Sequence, residues 1–516
     1  MRWGLPAGVA AVLLTAGVAV AVVLSGSSGR SPASADPADP PAPQLTLRVG
    51  DAPGRAIPRG FVGMSFEFQA VRTYTGSDPA HINPVLVQLI RNVDPGQAPV
   101  LRIGGDSTDD SYLPSPSVTV PPYVAYRLSP SWLATTAALA HQLGARMIMG
   151  LDLAANQPAL DGAEAAGYVQ ALGAGSIAAL EIGNESNLFG KIRLLHTASG
   201  TPYRSRPKSY DAAAFRADFS AVAGAVPALP LAGPALAVGP APDKGSWRPS
   251  IPGLLRSQPR LTTLTIHRYP LRNCYVPPSS VQYPTITHLL SNYATSTLAA
   301  DLRPWIAVAH AQHRRLRVDE LNSVACRGRH GVSDTFASSL WVTDALFSLA
   351  AAGVDGVNLH TLPNSAYELF RFSDGGGRWH GHVQPVFYGV QLFAEAAPPG
   401  SRLLTIGRTG RSPHLSVWAT RAPDGRVRIV LINKDPSGPT TVGLRLPGPA
   451  RPATVERMRA PSVSARGDVT LGGRSYGAET STGRLAAPLT RPVARAADGA
   501  DVVTVPGGSA ALVTVG

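Results

Sequence analysis

Between residues 60 and 395 short apolar segments alternate with longer amphipathic ones, and no other feature of the chain restricts its fold as tightly. Eight segments have the length and composition of buried strands: Gly60–Phe68, Val100–Gly104, Arg146–Leu151, Ile177–Ile182, Leu229–Leu236, Thr263–His267, Leu316–Glu320 and Val354–His360. Between them, stretches such as Trp132–Leu143, Ala212–Ala225 and Phe336–Ala352 place apolar residues at steps of three and four, the spacing of one helix face. Parallel strands need a crossover, and a helix supplies one while covering the sheet. Eight strand–helix units predict an α/β fold, a (β/α)8 TIM barrel over 60–395, whose reactive side chains gather at the carboxyl ends of the strands.

The polar residues follow that rule. Strand one ends in Glu67, strand two runs through Arg102 into Gly104-Gly105-Asp106, and strand four delivers Asn184 and Glu185. Strand six ends in His267-Arg268-Tyr269, strand seven in Glu320, and strand eight in Asn358-Leu359-His360. The chain holds only nine Glu, so two at the tips of buried strands are not a solvated helix face. A pair of rigidly held carboxylates is the minimal equipment for cleaving a glycosidic bond, one protonating the leaving oxygen and the other acting at the anomeric carbon. Asp106 follows two glycines that let backbone approach a ligand closely. Asp319, one position before Glu320, is expected on the other face of its strand as a structural partner. His267 and His360 have no close His/Asp/Glu cluster beside them in the sequence, so neither a metal nor another cofactor is implied.

Three motifs together, Leu180-Glu-Ile-Gly-Asn-Glu-Ser-Asn-Leu-Phe189, Val318-Asp-Glu-Leu-Asn-Ser323 and Leu101-Arg-Ile-Gly-Gly-Asp-Ser107, resemble those of the glucuronidase and heparanase family, glycoside hydrolase family 79, within a clan of retaining barrel glycosidases. The resemblance implies Glu185 as general acid/base and Glu320 as nucleophile of a retaining, exo-acting β-glucuronidase. It also implies that Asn184 binds the hydroxyl beside the anomeric carbon, and that Glu67, Asp106 and His360 line the sugar pocket. Tyr367 is implied to recognise the uronate carboxylate. Tyr269 and His267 are placed to hydrogen-bond Glu320 and keep it ionised, with Arg102 adding positive charge. The loop after Glu320 departs from the family by having Ala325 where an aromatic residue is expected; Arg327 and Arg329 are candidates to replace it as a charged fork. Two alternatives are another retaining glycosidase of the clan (xylosidase, arabinofuranosidase, glucanase or endo-acting heparanase-like enzyme) and a non-catalytic, cell-surface carbohydrate-binding protein.

After Pro385 the pattern changes to alternating runs with Gly/Pro/Asp turns, including Leu415–Ala419, Val427–Asn433 and Ala510–Val515, so residues 396–516 are expected to form an all-β sandwich. Residues 45–59 also alternate and are expected to add a strand to it. Residues 1–44 carry an apolar run from Val9 to Leu24, then Ala33-Ser34-Ala35 and a Pro/Ala-rich linker, the pattern of a secretory signal or a single membrane anchor. Either places the protein outside the cell or on the outer face of its membrane, with any membrane contact made through that anchor. Cys274 and Cys326 lie just beyond strands six and seven; export favours a disulfide between them over two buried thiols. The net charge of +13 comes mostly from Arg dispersed along the chain without aromatic interleaving. That distribution gives no nucleic-acid partner and leaves an acidic glycan or cell surface, with a carbohydrate as the expected substrate.

Overall fold

Eight parallel strands close into a barrel in sequence order: Val62–Phe66, Val100–Ile103, Arg146–Leu151, Ile177–Ile182, Leu231–Ala237, Leu261–His267, Arg315–Leu321 and Gly356–Thr361. The computed structural model describes residues 42–116, 118–192, 195–240 and 246–516. The apolar run of the amino-terminal segment and its Ala33-Ser34-Ala35 motif lie outside the described residues, among which no helix is long and apolar enough to cross a membrane.

Strand ends differ from the sequence expectation by one or two residues. The first strand stops at Phe66, because Glu67 caps the helix Phe68–Thr75, and it starts after Gly60, which turns the chain at φ 62°. The eighth strand starts two residues later than expected, since the Asp355 side chain is engaged by Arg55 and by the Leu316 backbone N–H.

One irregularity matters for the site. Along the seventh strand, Val318 faces Ile266 and Val357, yet Glu320 faces His267 and Leu321 faces Leu359. One extra residue has therefore been inserted, a β-bulge over Asp319 and Glu320. Strict alternation sends neighbouring side chains to opposite faces, whereas a bulge lets both turn toward the barrel axis. The expectation that Asp319 points to the other face is corrected on this ground: it is fully buried beside Arg102 and His267.

The carboxyl-terminal strands form a mostly antiparallel sheet of 11 strands around their own apolar core, which includes Leu47, Val417, Ile429, Leu431 and Val513. The amino-terminal strand Leu45–Ala56 joins this sheet, antiparallel to Arg402–Gly410 and parallel to Thr440–Arg445. The helix Phe336–Ala352 is buried on nearly every side because the sheet covers its outer face, so its apolar character runs all round rather than along one stripe. Phe347 stacks on Trp418 at 5.7 Å, and Asp344 accepts hydrogen bonds from Trp418 Nε1 at 2.8 Å and Lys434 Nζ at 2.9 Å. Both charges of that ion pair are buried, so removing either one is expected to cost about 3–5 kcal/mol.

Candidate active site

The site is built around Arg102, whose guanidinium is completely buried inside the barrel. A charge in that position needs partners on all sides, and the first, fourth and seventh strands supply them. Its Nη1 donates to Glu320 Oε2 at 2.8 Å and to Ser65 Oγ at 3.2 Å, and its Nη2 donates to Asn184 Oδ1 at 3.0 Å. Its Nε donates to Glu181 Oε2 at 2.5 Å, with Asp319 Oδ2 at 3.4 Å. The bond to Asn184 orients that amide so that its N–H groups turn away from Arg102.

Glu320 is gripped at both oxygens. The Tyr269 hydroxyl donates to Oε1 at 2.9 Å, opposite the Arg102 bond to Oε2. Burial pushes the Glu320 carboxyl up, but the positive fields of His360 and Arg102, with the Tyr269 hydrogen bond, outweigh it and hold the group well below the usual carboxylate range. The phenol of Tyr269 moves the other way, raised by burial and by Glu320, so it stays a donor.

Glu185 follows the fourth strand with a left-handed backbone, φ 46° and ψ 37°. A non-glycine residue there is strained, and the strain is held by the backbone bond from Glu185 N to Ala235 O at 2.8 Å. Its side chain is 19% exposed, which leaves it open to a ligand. His267 Nδ1 lies 3.0 Å from Glu185 Oε1 but 3.7 Å from Glu320 Oε2, so the expected hydrogen bond from His267 to Glu320 is corrected to one with Glu185. Ring nitrogen and carboxylate oxygens of His267, Glu185 and Glu320 lie within 4.8 Å of one another. In space, then, His267 does sit among carboxylates, which the linear sequence did not indicate.

Glu67, Asp106, His360 and Tyr367 surround this pair. Glu67 accepts from the Ser107 backbone N–H at 2.8 Å, from the Asp106 backbone N–H at 3.2 Å and from the Ser107 hydroxyl. Gly105 makes this possible: its φ is 100°, and a Cβ there would run into the Glu67 carboxylate. His360 places Nε2 3.4 Å from Glu67 Oε1 and Nδ1 3.1 Å from Ser65 Oγ. Burial disfavours its cation, but Glu320 and Glu67 prevail and raise its pKa. Asp106 is exposed to the cleft, yet the surrounding protein and the charges of Glu67 and Glu320 raise its carboxyl well above the ordinary value. Tyr367 packs edge-on against His360 at 5.8 Å and lies 6.2 Å from the Tyr269 ring.

The rim is closed by the Cys274–Cys326 disulfide, Cα atoms 6.1 Å apart, and by the short pairing of Leu271–Arg272 with Val324–Ala325. The two candidate arginines part company there. Arg329 stacks over the Tyr283 ring at 4.7 Å and is corrected from a carboxylate fork to a packing role. Arg327 is exposed beside Tyr367, and its guanidinium has no hydrogen-bond or ion-pair partner among the described residues.

Ser65 and Glu181 were not singled out from the sequence, and Asp319 only as a structural partner on the other face of its strand. A signal existed for Glu181: it is a carboxylate inside an otherwise apolar strand, which demands a buried partner.

Residues 417–512 match the family model described as the glycosyl hydrolase family 79 C-terminal beta domain. Among solved structures, the chain is similar to a 4-O-α-L-rhamnosyl-β-D-glucuronidase from Fusarium oxysporum 12S, at 21% identity over 93% of this chain and 99% of that one, with a TM-score of 0.66. It is also similar to a GH51 arabinofuranosidase from Xanthomonas axonopodis pv. citri (16% identity, 92% and 99% covered, TM-score 0.61) and to a family 44 xyloglucanase from Paenibacillus polymyxa (13%, 92% and 100%, 0.55). These likenesses show the fold, a (β/α)8 barrel with a β domain. No curated protein matches the chain. The resemblance to glycoside hydrolase family 79 read from the barrel motifs is thus met by a separate part of the chain, its carboxyl-terminal β domain.

Proposed function

We propose that the protein is a retaining, exo-acting β-glycosidase, and specifically a β-glucuronidase for glucuronic acid or its 4-O-methyl form. The observation that carries the reading is the Glu185–Glu320 pair, with oxygens within 4.8 Å of each other and in contrasting environments. Retaining enzymes hold their two carboxyl groups about 5–5.5 Å apart, and inverting enzymes leave about 6.5–9.5 Å for a water.

In the first step Glu320 attacks the anomeric carbon while Glu185 gives its proton to the departing oxygen, leaving a glycosyl ester on Glu320. In the second, Glu185 takes a proton from water as that water's oxygen displaces Glu320, and configuration is retained. Asn184 donates to the hydroxyl beside the anomeric carbon. Asp106, its carboxyl raised by the surrounding protein and its acidic neighbours, binds the sugar and, when protonated, spares an anionic substrate one repulsion. The guanidinium of Arg327 beside Tyr367, unpaired among the described residues, supports the uronate reading, since a carboxylate there gains a charge-assisted hydrogen bond. The proposal includes export, supported by the signal-like amino terminus and by a disulfide that oxidising compartments permit.

The missing aromatic residue at Ala325 favours a second reading, a glycosidase of the same clan with a neutral pocket. One experiment separates them. A panel of nitrophenyl β-glycosides should show β-glucuronide preferred, a 2-fluoro-glucuronide should label Glu320, and NMR should detect the β-anomer first. An α-anomer appearing first overturns the retaining assignment, and equal cleavage of β-xyloside or β-glucoside overturns the uronate assignment.

A further inference from the structure

Beneath the two glutamates lie four polar atoms that are fully buried and, with every carboxyl group ionised, have no hydrogen-bond partner among the described residues: Asp319 Oδ1 and Oδ2, Glu181 Oε1 and His267 Nε2. Buried polar atoms are almost always paired, so an unpaired set in one place signals protons that heavy-atom positions do not display. Asp319 is turned inward by the bulge, with Oδ1 3.6 Å from His267 Nε2 and Oδ2 3.4 Å from Arg102 Nε. The other oxygen of Glu181 already accepts from Arg102.

One assignment of protons gives each of the four atoms a complementary neighbour. A single proton sits between Asp319 and the free oxygen of Glu181, and the Nε2–H of a neutral His267 points at Asp319 Oδ1, 3.6 Å away and just beyond hydrogen-bond range. The Nδ1 of His267 is then a lone-pair acceptor, 3.0 Å from Glu185 Oε1, and only a protonated Glu185 can donate to it. We propose that Asp319, sharing a proton with Glu181, is a positioning residue that holds His267 in its Nε2–H tautomer and thereby keeps Glu185 in the acid form. This rests on the reading of Glu185 as the general acid/base.

The surrounding charges agree. The groups facing Asp319 are Arg102 on the second strand, Glu181 on the fourth, His267 on the sixth, and Arg317 and Glu320 on its own. Burial first, then the negative charge of Glu181, raises the Asp319 carboxyl well above its ordinary value. In Glu181 burial is outweighed by Arg102 and by the hydrogen bond from Asp319, and its carboxyl is lowered. Two carboxyl groups in contact cannot both ionise freely, so one carries the proton. The arrangement also suits turnover. Once Glu185 has surrendered its proton, its carboxylate faces the Nδ1 lone pair, which favours taking a proton back from the incoming water.

Two variants test this without relying on activity alone. Asn reproduces a protonated Asp, its amide donating to Glu181 and its carbonyl accepting from Nε2–H, whereas Ala does neither. In the full-length protein labelled with 15N-histidine, NMR should show His267 as the neutral Nε2–H tautomer in wild type and Asp319→Asn, and no longer as a single Nε2–H form in Asp319→Ala. An imidazolium or an Nδ1–H tautomer in wild type overturns the proposal, whatever the enzyme cleaves. In kinetics, Asp319→Ala should lose ~100-fold on alkyl glucuronides, whose leaving group needs the acid, and less than about threefold on dinitrophenyl glucuronide, which does not. Its basic pH limb should also move down, because an unrestrained His267 that donates to Glu185 favours the carboxylate. Equal losses on both substrates, or an Asp319→Asn variant as impaired as Asp319→Ala, sink it. If Asp319→Ala does not fold, Asp319→Asn alone decides: it must keep both the pH limb and the leaving-group dependence. Failure of wild type to cleave any glycoside counts against the activity reading, and the NMR result still judges the tautomer.

Discussion

Tyr269 and Glu320 are joined by a hydrogen bond of 2.9 Å from the phenol to a carboxylate that Arg102 grips from the other side. The phenol stabilises the ionised form, so Tyr269→Phe removes one bond to charge, worth about 1.5–3 kcal/mol. The expected loss is about 10- to 100-fold in kcat. Because Tyr269 lowers the Glu320 pKa, its removal should shift the acid limb of kcat/KM to higher pH; an unmoved limb contradicts this role.

Glu320→Gln should abolish turnover while leaving substrate binding largely intact, since an amide keeps the shape but forms no glycosyl ester. Glu185→Ala should instead slow substrates with poor leaving groups most, and azide should restore activity by giving a β-glycosyl azide. An α-azide, or rescue of the Glu320 variant rather than the Glu185 one, would exchange their roles.

Uronate selectivity should depend on Arg327 and Tyr367. Losing charged hydrogen bonds at this position should cost a neutral sugar ~2–4 kcal/mol, a discrimination of about 30- to 1000-fold in kcat/KM. Arg327→Ala and Tyr367→Phe should each erode that ratio by weakening glucuronide cleavage and leaving β-glucoside cleavage unchanged. Parallel losses on both sugars would point to packing.

Stability should fall as pH rises from 5 to 8.5. Burial pushes Glu164 up to about 8 and Asp94 up to about 7, against ordinary values of about 4.3 and 3.9. Groups raised in the folded state favour the fold when protonated, so their contribution is complete below pH ~4 and is lost as pH climbs through about 7 to 8. Thermal unfolding should therefore show a lower Tm at pH 8.5 than at pH 5. Glu164→Gln should reduce that difference, because Gln still accepts from the Leu113 N–H without a charge to lose.

Reduction should weaken the protein. The Cys274–Cys326 bridge spans 52 residues of chain and typically contributes about 2–4 kcal/mol by restricting the unfolded state. Unfolded, unreduced protein should titrate with no free thiols, and dithiothreitol should lower Tm; two free thiols would refute the bridge in solution.

Periodicity alone determined the barrel and the β domain, because the length and spacing of apolar runs decide which segments can be buried strands and which can cover them. The positions of Glu67, Asn184, Glu185 and Glu320 followed from the same logic, since residues at the carboxyl ends of parallel strands share one end of the barrel. The Arg102–Glu181–Asp319 cluster was hidden because its members are far apart in sequence and Asp319 faces inward only through a bulge that strict alternation does not foresee. His267 choosing Glu185 over Glu320, and Arg329 choosing the Tyr283 ring, are likewise differences of about an ångström or of one rotamer. Local sequence determines which residues reach the end of a strand. Only the closed barrel, packing those ends against one another at low dielectric, decides which side chains share a proton, because that depends on distances set by all eight strands at once.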